Sequence, residues 1–416
     1  MKFIFTSLTI ILYFLTVHAD KALSFDKSGD RTAFVSGKVV DERGFPVPYA
    51  KVIIRDSETQ TDVAGKFNIM NVESPYDLTV AVRTNSTAVI YKNLSISNPE
   101  IVFFGDPVED YFNIVRAKVN FPKLTDGKSG ILKFISQEVS YSDETDVAEG
   151  DSTSFLKISW PMFQNRISGQ LVLIVRNKSG FQTIKFTDIS VVKSSLNQEY
   201  NITSKPGKKL SSANVSVYFP ESSFDSKGLS LSANLFNYDK GSGIMFYENE
   251  GNESQLKITV PDKLPVSFKI RITGYADRKN GSGFVNYTFV SPGSVTKIDS
   301  EQPPEIMTPT DNSLAVDGRT RFSYTSGSGT GIYVLQFRSN DPPMNFYVVT
   351  NERETNLEYL SRKEFKSGSV KFNWSVRKYT TYFTTDEFVK PLIFKNDMGY
   401  KAVMYSSAKN FKTGYY

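Results

Sequence analysis

Short stretches in which apolar and polar residues alternate are the main pattern along this chain. Between residues 266 and 273, Val, Phe, Ile and Ile alternate with Ser, Lys, Arg and Thr, and similar runs surround Leu156 and Leu171. Side chains with a period of two lie on opposite faces of a β-strand, whereas an amphipathic helix places apolar residues three and four positions apart. The pattern therefore predicts half-buried antiparallel strands through most of the chain.

The predicted strands are short, and clusters of Gly, Asn, Asp, Ser and Pro separate them. This spacing is typical of β-sandwiches in series, so we predict an all-β fold of tandem β-sandwich domains. A chain of 416 residues is long enough for three or four domains of roughly 100 to 150 residues each. We place four segments at residues 33–105, 110–200, 201–300 and 303–416, although residues 110–300 could instead form one domain.

The first residues have the features of a secretory signal peptide. Lys2 precedes an uncharged, mostly apolar run that ends at Val17, and Ala19 supplies a small residue at the predicted cleavage site. The run is shorter than the roughly 20 residues that a transmembrane helix needs. We therefore predict a leader at residues 1–19, no transmembrane helix, and a mature protein that is secreted, periplasmic or at the cell surface.

Composition narrows the chemistry that the mature chain can perform. The sequence has no cysteine and one histidine, His18, which lies inside the predicted leader. This excludes disulfides, thiolate nucleophiles, Ser-His-Asp triads and histidine-ligated metals. The formal net charge of +5 is small for a chain of this length, so nucleic acid is not an expected partner.

The first segment carries a more specific pattern. It reads "GKVVDERGFPVPYAKVII" and then "TDVAGKFNI", with turn residues at Gly44, Pro46, Asp62 and Gly65. Over residues 33–104 it resembles the carboxypeptidase regulatory-like domain, a prealbumin-like β-sandwich. In metallocarboxypeptidases this module accompanies a zinc peptidase domain, and the histidine ligands of that domain are missing here. The resemblance therefore implies a structural or binding module.

The fourth segment resembles a fibronectin type III domain over residues 303–413. It begins with "PPEIMTPTDNS", contains the alternating residues Phe372, Trp374 and Val376, and ends with "SSAKNFKT". It departs from that family because Phe372 stands where a tyrosine is usual. We predict a fibronectin III-like sandwich here and unassigned Ig-like sandwiches in the two middle segments.

One acidic cluster, "SDETDVAEGD", has a composition that suits a hard cation. Ca²⁺ takes six to eight oxygen ligands, often from loops of this kind. Two interpretations stay open, a calcium site that rigidifies a loop and a solvated acidic turn, since the EF-hand spacing is absent. No other cofactor is expected. The candidate ligands are Asp143, Glu144, Asp146, Glu149 and Asp151.

Aromatic residues make up 13% of the chain and fall into two groups. Trp160 and Trp374 alternate with apolar neighbours, which predicts that both lie in the core. Other aromatics break the alternation in loop-like sequence, where exposed rings stack on sugars or anchor interfaces. The alternative role for these is packing between domains. The candidate ligand-binding residues are Phe104, Tyr111, Phe112, Tyr379, Tyr382 and Phe383.

These features predict an exported modular protein of the cell envelope that binds or scaffolds and has no enzymatic activity. The expected partner is carbohydrate or another surface protein, and the sandwiches are expected to form a rod-like array. Two alternatives remain. Paired carboxylates could hydrolyse a glycan without histidine, or the chain could be a structural adhesin for a host protein.

Overall fold

The computed structural model describes most of the chain from residue 33 onward. The predicted leader and its cleavage site lie outside this part of the chain. Nearly all of the regular structure is in strands, which confirms the predicted all-β class. The described residues are 33–82, 86–105, 111–177, 180–193, 197–202, 212–218, 226–237, 242–250, 255–263, 268–358, 370–389 and 402–414.

The first two segments form strands β1 to β15 in the described residues. In the first segment these are β1 (Ala33–Asp41), β2 (Lys51–Ile54), β3 (Ser57–Gln60), β4 (Lys66–Val72), β5 (Tyr76–Val82), β6 (Thr87–Leu94) and β7 (Glu100–Phe103). In the second they are β8 (Phe112–Asn120), β9 (Ser129–Ile135), β10 (Tyr141–Ser142), β11 (Thr145–Val147), β12 (Thr153–Pro161), β13 (Arg166–Asn177), β14 (Gly180–Val192) and β15 (Asn197–Asn201).

The third and fourth segments contain strands β16 to β31 and one short helix. In the third segment the strands are β16 (Ser212–Tyr218), β17 (Ser226–Asn237), β18 (Ser242–Glu250), β19 (Gln255–Pro261), β20 (Phe268–Arg278), β21 (Gly283–Val290) and β22 (Val295–Lys297). The fourth contains β23 (Ile306–Thr308), β24 (Ser313–Val316), β25 (Arg321–Tyr324), β26 (Ile332–Asn340), β27 (Pro343–Thr350), β28 (Glu354–Asn356), β29 (Lys371–Thr380), α1 (Thr385–Phe388), β30 (Ala402–Tyr405) and β31 (Lys409–Thr413).

Buried apolar side chains form four clusters that follow the four segments along the chain. The first contains Phe67 and the inward side chains of β1 to β7. The second surrounds Trp160, the third contains Ile270, and the fourth surrounds Trp374. Both tryptophans are fully buried, as the alternation around them predicted.

Each of three clusters also takes in side chains from another segment. Val349 of β27 belongs to the first cluster, and Ile90 of β6 belongs to the fourth. The third cluster includes Ile174 of β13 and Met404 of β30. The cores of neighbouring segments are therefore in direct contact.

A shared sheet joins these cores through backbone hydrogen bonds. One 14-stranded sheet contains, along its main path, β18-β17-β20-β21-β30-β29-β26-β27-β6-β5-β2-β3. Strands β27 and β6 pair in parallel, from Asn345 opposite Thr87 to Val349 opposite Tyr91. Strands β21 and β30 pair antiparallel and bring the third segment onto the fourth. The sheet thus runs continuously through three segments.

The expected rod-like array of separate modules is wrong for the described residues, which form one unit from Ala33 to Tyr416. The physical reason lies in the strand edges. A sandwich that stood alone would leave unpaired N–H and C=O groups along its edge strands, and pairing across segments satisfies them. The boundaries of the four segments themselves stay predictions.

The turn predicted between Asp62 and Gly65 is present and shows how sequence sets local structure. The Asp62 carboxylate accepts hydrogen bonds from the N–H groups of Ala64, at 2.8 Å, and Lys66, at 2.9 Å. Gly65 has a φ of 75°, a conformation that costs glycine little. A Cβ there would lie 2.4 Å from the carbonyl oxygen of Val39. Only glycine fits this turn.

The shared sheet, together with the pairing of β14 with β19 that links the second segment to the third, predicts cooperative unfolding across the segments. The chain has two tryptophans, so Trp374→Phe leaves Trp160 as reporter of the second cluster, and Trp160→Phe leaves Trp374 as reporter of the fourth. In each variant we expect the fluorescence transition in urea to coincide with the far-UV circular dichroism transition. Comparing two probes within one variant controls for any stability lost through the substitution. Separate transitions for the two probes would contradict a shared folding unit.

Candidate functional site

Three of the six aromatics predicted to bind ligand are interior residues. Phe104, Tyr379 and Tyr382 are 2%, 4% and 8% exposed. The Phe104 ring lies 5.4 Å from that of Tyr347, and the Tyr382 ring lies 5.3 Å from that of Phe388. The expectation of exposed aromatic faces is therefore wrong for these three. Tyr379 lies on β29 within the shared sheet, and packing between segments buries Phe104 and Tyr382 beside it.

Two more of the predicted aromatics lie where the first and second segments meet. The rings of Phe112 and Phe45 are 4.4 Å apart, and those of Tyr111 and Tyr49 are 5.7 Å apart. The Arg43 guanidinium lies 5.3 Å from the centre of the Phe112 ring, within cation–π range. Both predicted residues are half-buried and hold the two segments together.

Phe383 is the predicted aromatic with a freely exposed ring, at 65% exposure. It follows the buried Tyr382 and precedes α1. The six candidates therefore do not form one binding surface. Ligand binding by Phe383 stays a prediction.

The five carboxylates of the acidic cluster make separate local contacts. Within the described residues, no group of three or more histidine, aspartate or glutamate side chains is arranged to hold a metal ion. These contacts favour the solvated acidic turn over the calcium site. Glu144 pairs with Lys133 at 3.1 Å, Asp146 pairs with Arg176 at 3.0 Å, Glu149 accepts from the Gly127 N–H, Asp151 accepts from the Ala148 N–H, and Asp143 bonds to Tyr141.

An open pocket of about 500 Å³ lies where the first, third and fourth segments meet. Its volume falls within the range of roughly 300 to 1,000 Å³ that small-molecule sites occupy. The pairing of β21 with β30 and of β30 with β29 brings its walls together. The lining residues are Glu42, Gly281, Val285, Tyr287, Ser375, Arg377, Tyr379, Val403, Tyr405, Ser406 and Ala408.

One acid and one base line this pocket, and each affects the ionisation of the other. Burial raises the pKa of the Glu42 carboxyl above its usual range, and the positive charge of Arg377 partly opposes that shift. Burial alone would lower the pKa of Arg377, but Tyr379 and Glu42 raise it overall. Both side chains are exposed to solvent and line the pocket. A ligand can therefore reach both charges.

Three tyrosines complete the polar lining. Burial raises the pKa of Tyr379 to about 12, and its hydroxyl hydrogen-bonds to Arg377. The Tyr405 hydroxyl donates to the Asp277 carboxylate, and burial together with that contact raises its pKa. Tyr287 is half-buried. At neutral pH Tyr379 and Tyr405 stay protonated. The rings of Tyr287 and Tyr405 are only half-buried and so offer aromatic surface to the pocket.

Sequence reasoning found one residue of this pocket, Tyr379, and missed the others. Glu42 lies in the turn after β1, Tyr287 lies on β21 and Arg377 lies on β29, so no motif or spacing along the sequence connects them. Tyr379 was singled out because it stands in an aromatic stretch. The remaining lining residues become neighbours only through strand pairing between segments.

The pocket wall is held from behind by Lys378, the residue after Arg377. Its side chain is fully buried, and its ammonium donates to the carbonyl oxygens of Ser326 and Ser328, both at 2.8 Å, and to that of Gly329. The glycine-rich stretch 326–331 thus wraps around a buried charge. Burial lowers the pKa of Lys378 to about 8, and the three carbonyl oxygens accept from its protonated form.

The same stretch holds the connection between the third and fourth segments. Ser328 and Gln302 exchange hydrogen bonds, from the Gln302 N–H to the Ser328 hydroxyl at 2.7 Å and from the Ser328 N–H to the Gln302 carbonyl at 2.8 Å. Arg278 of β20 donates to the Gln302 side chain at 2.6 Å. Lys378 therefore supports the junction that forms the pocket.

Replacing Lys378 should destabilise this junction. In Lys378→Met the methylene chain is kept but three carbonyl oxygens lose a buried donor, so we expect the free energy of unfolding to fall by roughly 1 to 3 kcal/mol. Urea denaturation measures the change. Lys371→Met on the same strand is the matched control, because Lys371 is exposed. Equal stability of the two variants would contradict a stabilising role for the hydrogen bonds of Lys378.

Phe104 and Phe383 give a second matched pair. We expect Phe104→Ala to lower the free energy of unfolding by about 3 to 5 kcal/mol, the usual cost of emptying a buried phenylalanine site. Phe383→Ala should change it by less than about 0.5 kcal/mol, because the ring is exposed. Thermal and urea denaturation would measure both. A similar loss in the two variants would show that burial of Phe104 is unimportant.

The fold defines an all-β chain of tandem sandwiches joined by shared sheets. Within its described residues, none of the helical structure is long and apolar enough to cross a membrane. No family model matches the chain, and no curated protein matches it. The resemblances to the carboxypeptidase regulatory-like and fibronectin type III domains stay predictions.

The solved structures that match the chain, all at low identity and low TM-score, include proteins of Bacillus species and of an Antarctic bacterium. The Bacillus anthracis TIE protein is 8% identical, with a TM-score of 0.17, and the match covers 64% of this chain and 49% of that one. This chain therefore spans about half the length of that protein.

Two further similar structures are an adhesin and a pilin. A Ca²⁺-stabilised adhesin with which an Antarctic bacterium binds ice is 10% identical, with a TM-score of 0.17 and coverage of 91% and 98%. A variant of BcpA, the major pilin subunit of Bacillus cereus, is 10% identical, with a TM-score of 0.15 and coverage of 65% and 99%. Scores this low do not define the function of the present chain.

Proposed function

We propose that this chain is an exported, non-catalytic surface adhesion protein that binds carbohydrate in the junction pocket. The observation that supports this most directly is the pocket lining, which combines three tyrosines with one carboxylate and one guanidinium. Aromatic faces pack against the apolar faces of sugar rings, and planar polar groups hydrogen-bond to sugar hydroxyls.

The predicted leader supports export. A secretory signal at residues 1–19 would deliver the chain to the periplasm, the cell surface or the medium. There the sheets that join its segments would present the pocket as part of a rigid body. The proposal includes no nucleic-acid partner and no transmembrane helix.

A glycan hydrolase is the second candidate, and two carboxylates at one pocket favour it. Glu42 lines the pocket with a raised pKa, as a general acid requires. Asp277 lies next to the lining because it accepts from the Tyr405 hydroxyl. Hydrolysis would need both groups on opposite sides of a glycosidic bond. A structural adhesin for a host protein would use the same fold with a different surface.

Binding to a glycan array tests the proposal with the chain that follows residue 19. We expect retention of specific oligosaccharides, and we expect Tyr287→Ala to weaken binding about tenfold or more, the scale of one lost aromatic contact. Tyr218→Ala on β16 is the control, because Tyr218 is exposed and does not belong to the pocket lining.

The other outcomes discriminate between the candidates. Release of reducing ends from a bound glycan, abolished by Glu42→Gln, would favour the hydrolase. Retention on immobilised matrix proteins without any bound glycan would favour the protein adhesin. Either result would overturn the proposed function.

A further inference from the structure

We propose that the junction pocket selects a neutral sugar whose neighbouring hydroxyls bridge Glu42 and Arg377, and that it rejects acidic sugars. This inference rests on the proposed function, because it names the class of carbohydrate that the same site binds. Its basis is the arrangement of the two charges within one lining.

Glu42 and Arg377 influence one another electrostatically but are not among the direct ion pairs of the described residues. Each is oriented by other contacts. The Gly105 N–H donates to Glu42, and the Tyr379 hydroxyl bonds to Arg377. Glu42, in the turn after β1, and Arg377, on β29, therefore line the same pocket without a direct ion pair between them, so both charged groups remain available to a ligand.

A pair of adjacent hydroxyls complements such a gap. A hydroxyl can donate to the Glu42 carboxylate while its neighbour accepts from an N–H of Arg377, and a guanidinium offers five donors in a fixed plane. Hydrogen bonds to ionised groups are about twice as strong as those between neutral groups. A sugar with vicinal hydroxyls can therefore use both charges without carrying a charge itself.

Charge balance argues against acidic and basic ligands. The lining contains one acid and one base, and its other side chains are uncharged at neutral pH. A uronic acid would approach Arg377 favourably but would place its carboxylate near Glu42, and like charges in a partly buried site disfavour binding. An amino sugar would meet the same problem at Arg377. Asp277, which contacts Tyr405, and Arg271, which lies over the Tyr287 ring, add one charge of each sign beside the lining. Neither sign is in excess, so a neutral ligand matches best.

A single sugar could contact both the tyrosine rings and the two charged groups of the pocket. Tyr287 and Tyr405 come from the neighbouring strands β21 and β30 and place aromatic surface in the same pocket as the two charges. A pyranose ring has an apolar face and a rim of hydroxyls, so its face would pack on the tyrosines while its rim reaches Glu42 and Arg377.

The pH response follows from the surroundings of Glu42. Arg377 and Tyr379 of β29 and Asp41 of β1 face or flank it, Tyr91 of β6 interacts with it electrostatically, and Tyr405 of β30 shares its pocket. Since burial raises its pKa, Glu42 takes up a proton at a higher pH than an ordinary carboxyl. As the pH falls through that raised pKa, the pocket loses its negative charge. Binding of a neutral sugar should weaken, and binding of an acidic sugar should strengthen.

The test uses matched pairs of oligosaccharides and calorimetry on the chain that follows residue 19. Each pair consists of two separate ligands, a neutral tetrasaccharide of glucose, galactose or mannose and the tetrasaccharide of the corresponding uronic acid. In at least one pair, we expect the native protein to bind the neutral tetrasaccharide at least tenfold more tightly than the uronic acid tetrasaccharide. In Glu42→Gln the preference should reverse, because the pocket then carries the unopposed charge of Arg377. Glu305→Gln, which makes the same charge change at an exposed site outside the pocket, should keep the native preference.

The outcomes separate this inference from the proposed function. Tighter binding of a uronic acid member by the native protein would overturn the inference and leave carbohydrate binding intact. Failure of every saccharide to bind would overturn both. If Glu42→Gln does not fold, titrating the native protein from pH 8 to pH 4 applies the same test, and a preference that stays constant over this range would overturn the inference.

Discussion

Backbone hydrogen bonding between strands of different segments is the constraint on which the rest of this structure depends. Every strand carries donors and acceptors along both edges, and leaving a row of them unpaired in a partly buried position is costly. Here β6 pairs with β27 and β21 pairs with β30. These two pairings align three segments in one sheet, merge their cores, and create the junction where the pocket lies.

The period of a β-strand explains how β29 serves both the core and the pocket. Successive side chains point to opposite faces, so Arg377 and Lys378 emerge on different sides of the sheet. Lys378 is enclosed and satisfied by backbone carbonyls, while Arg377 reaches a solvent-accessible pocket opposite Glu42. The buried charge of Lys378 thus stabilises the structure, and the adjacent charge of Arg377 is available to bind a ligand.

The same sheet explains why several of the aromatic residues predicted to bind ligand are buried. Loop-like sequence around Phe104 and Tyr382 indicates exposure when each sandwich is considered alone, but the pairing of segments covers those loops. Rings that lie at segment junctions then act as packing contacts, as with Phe112 against Phe45. In the acidic cluster, Glu144 and Asp146 likewise pair with basic side chains of neighbouring strands.

The sequence by itself determined the all-β class, the alternation of buried and exposed positions, the turn at Asp62 to Gly65 and the burial of Trp160 and Trp374. These properties depend on the period of a strand and on local turn chemistry, which are written in residues close together along the chain. The pairing of segments and the meeting of Glu42 with Arg377 were decided only by the tertiary structure. Which strand edges pair depends on the shape and register of entire sheets, and that information is not present in any short stretch of sequence.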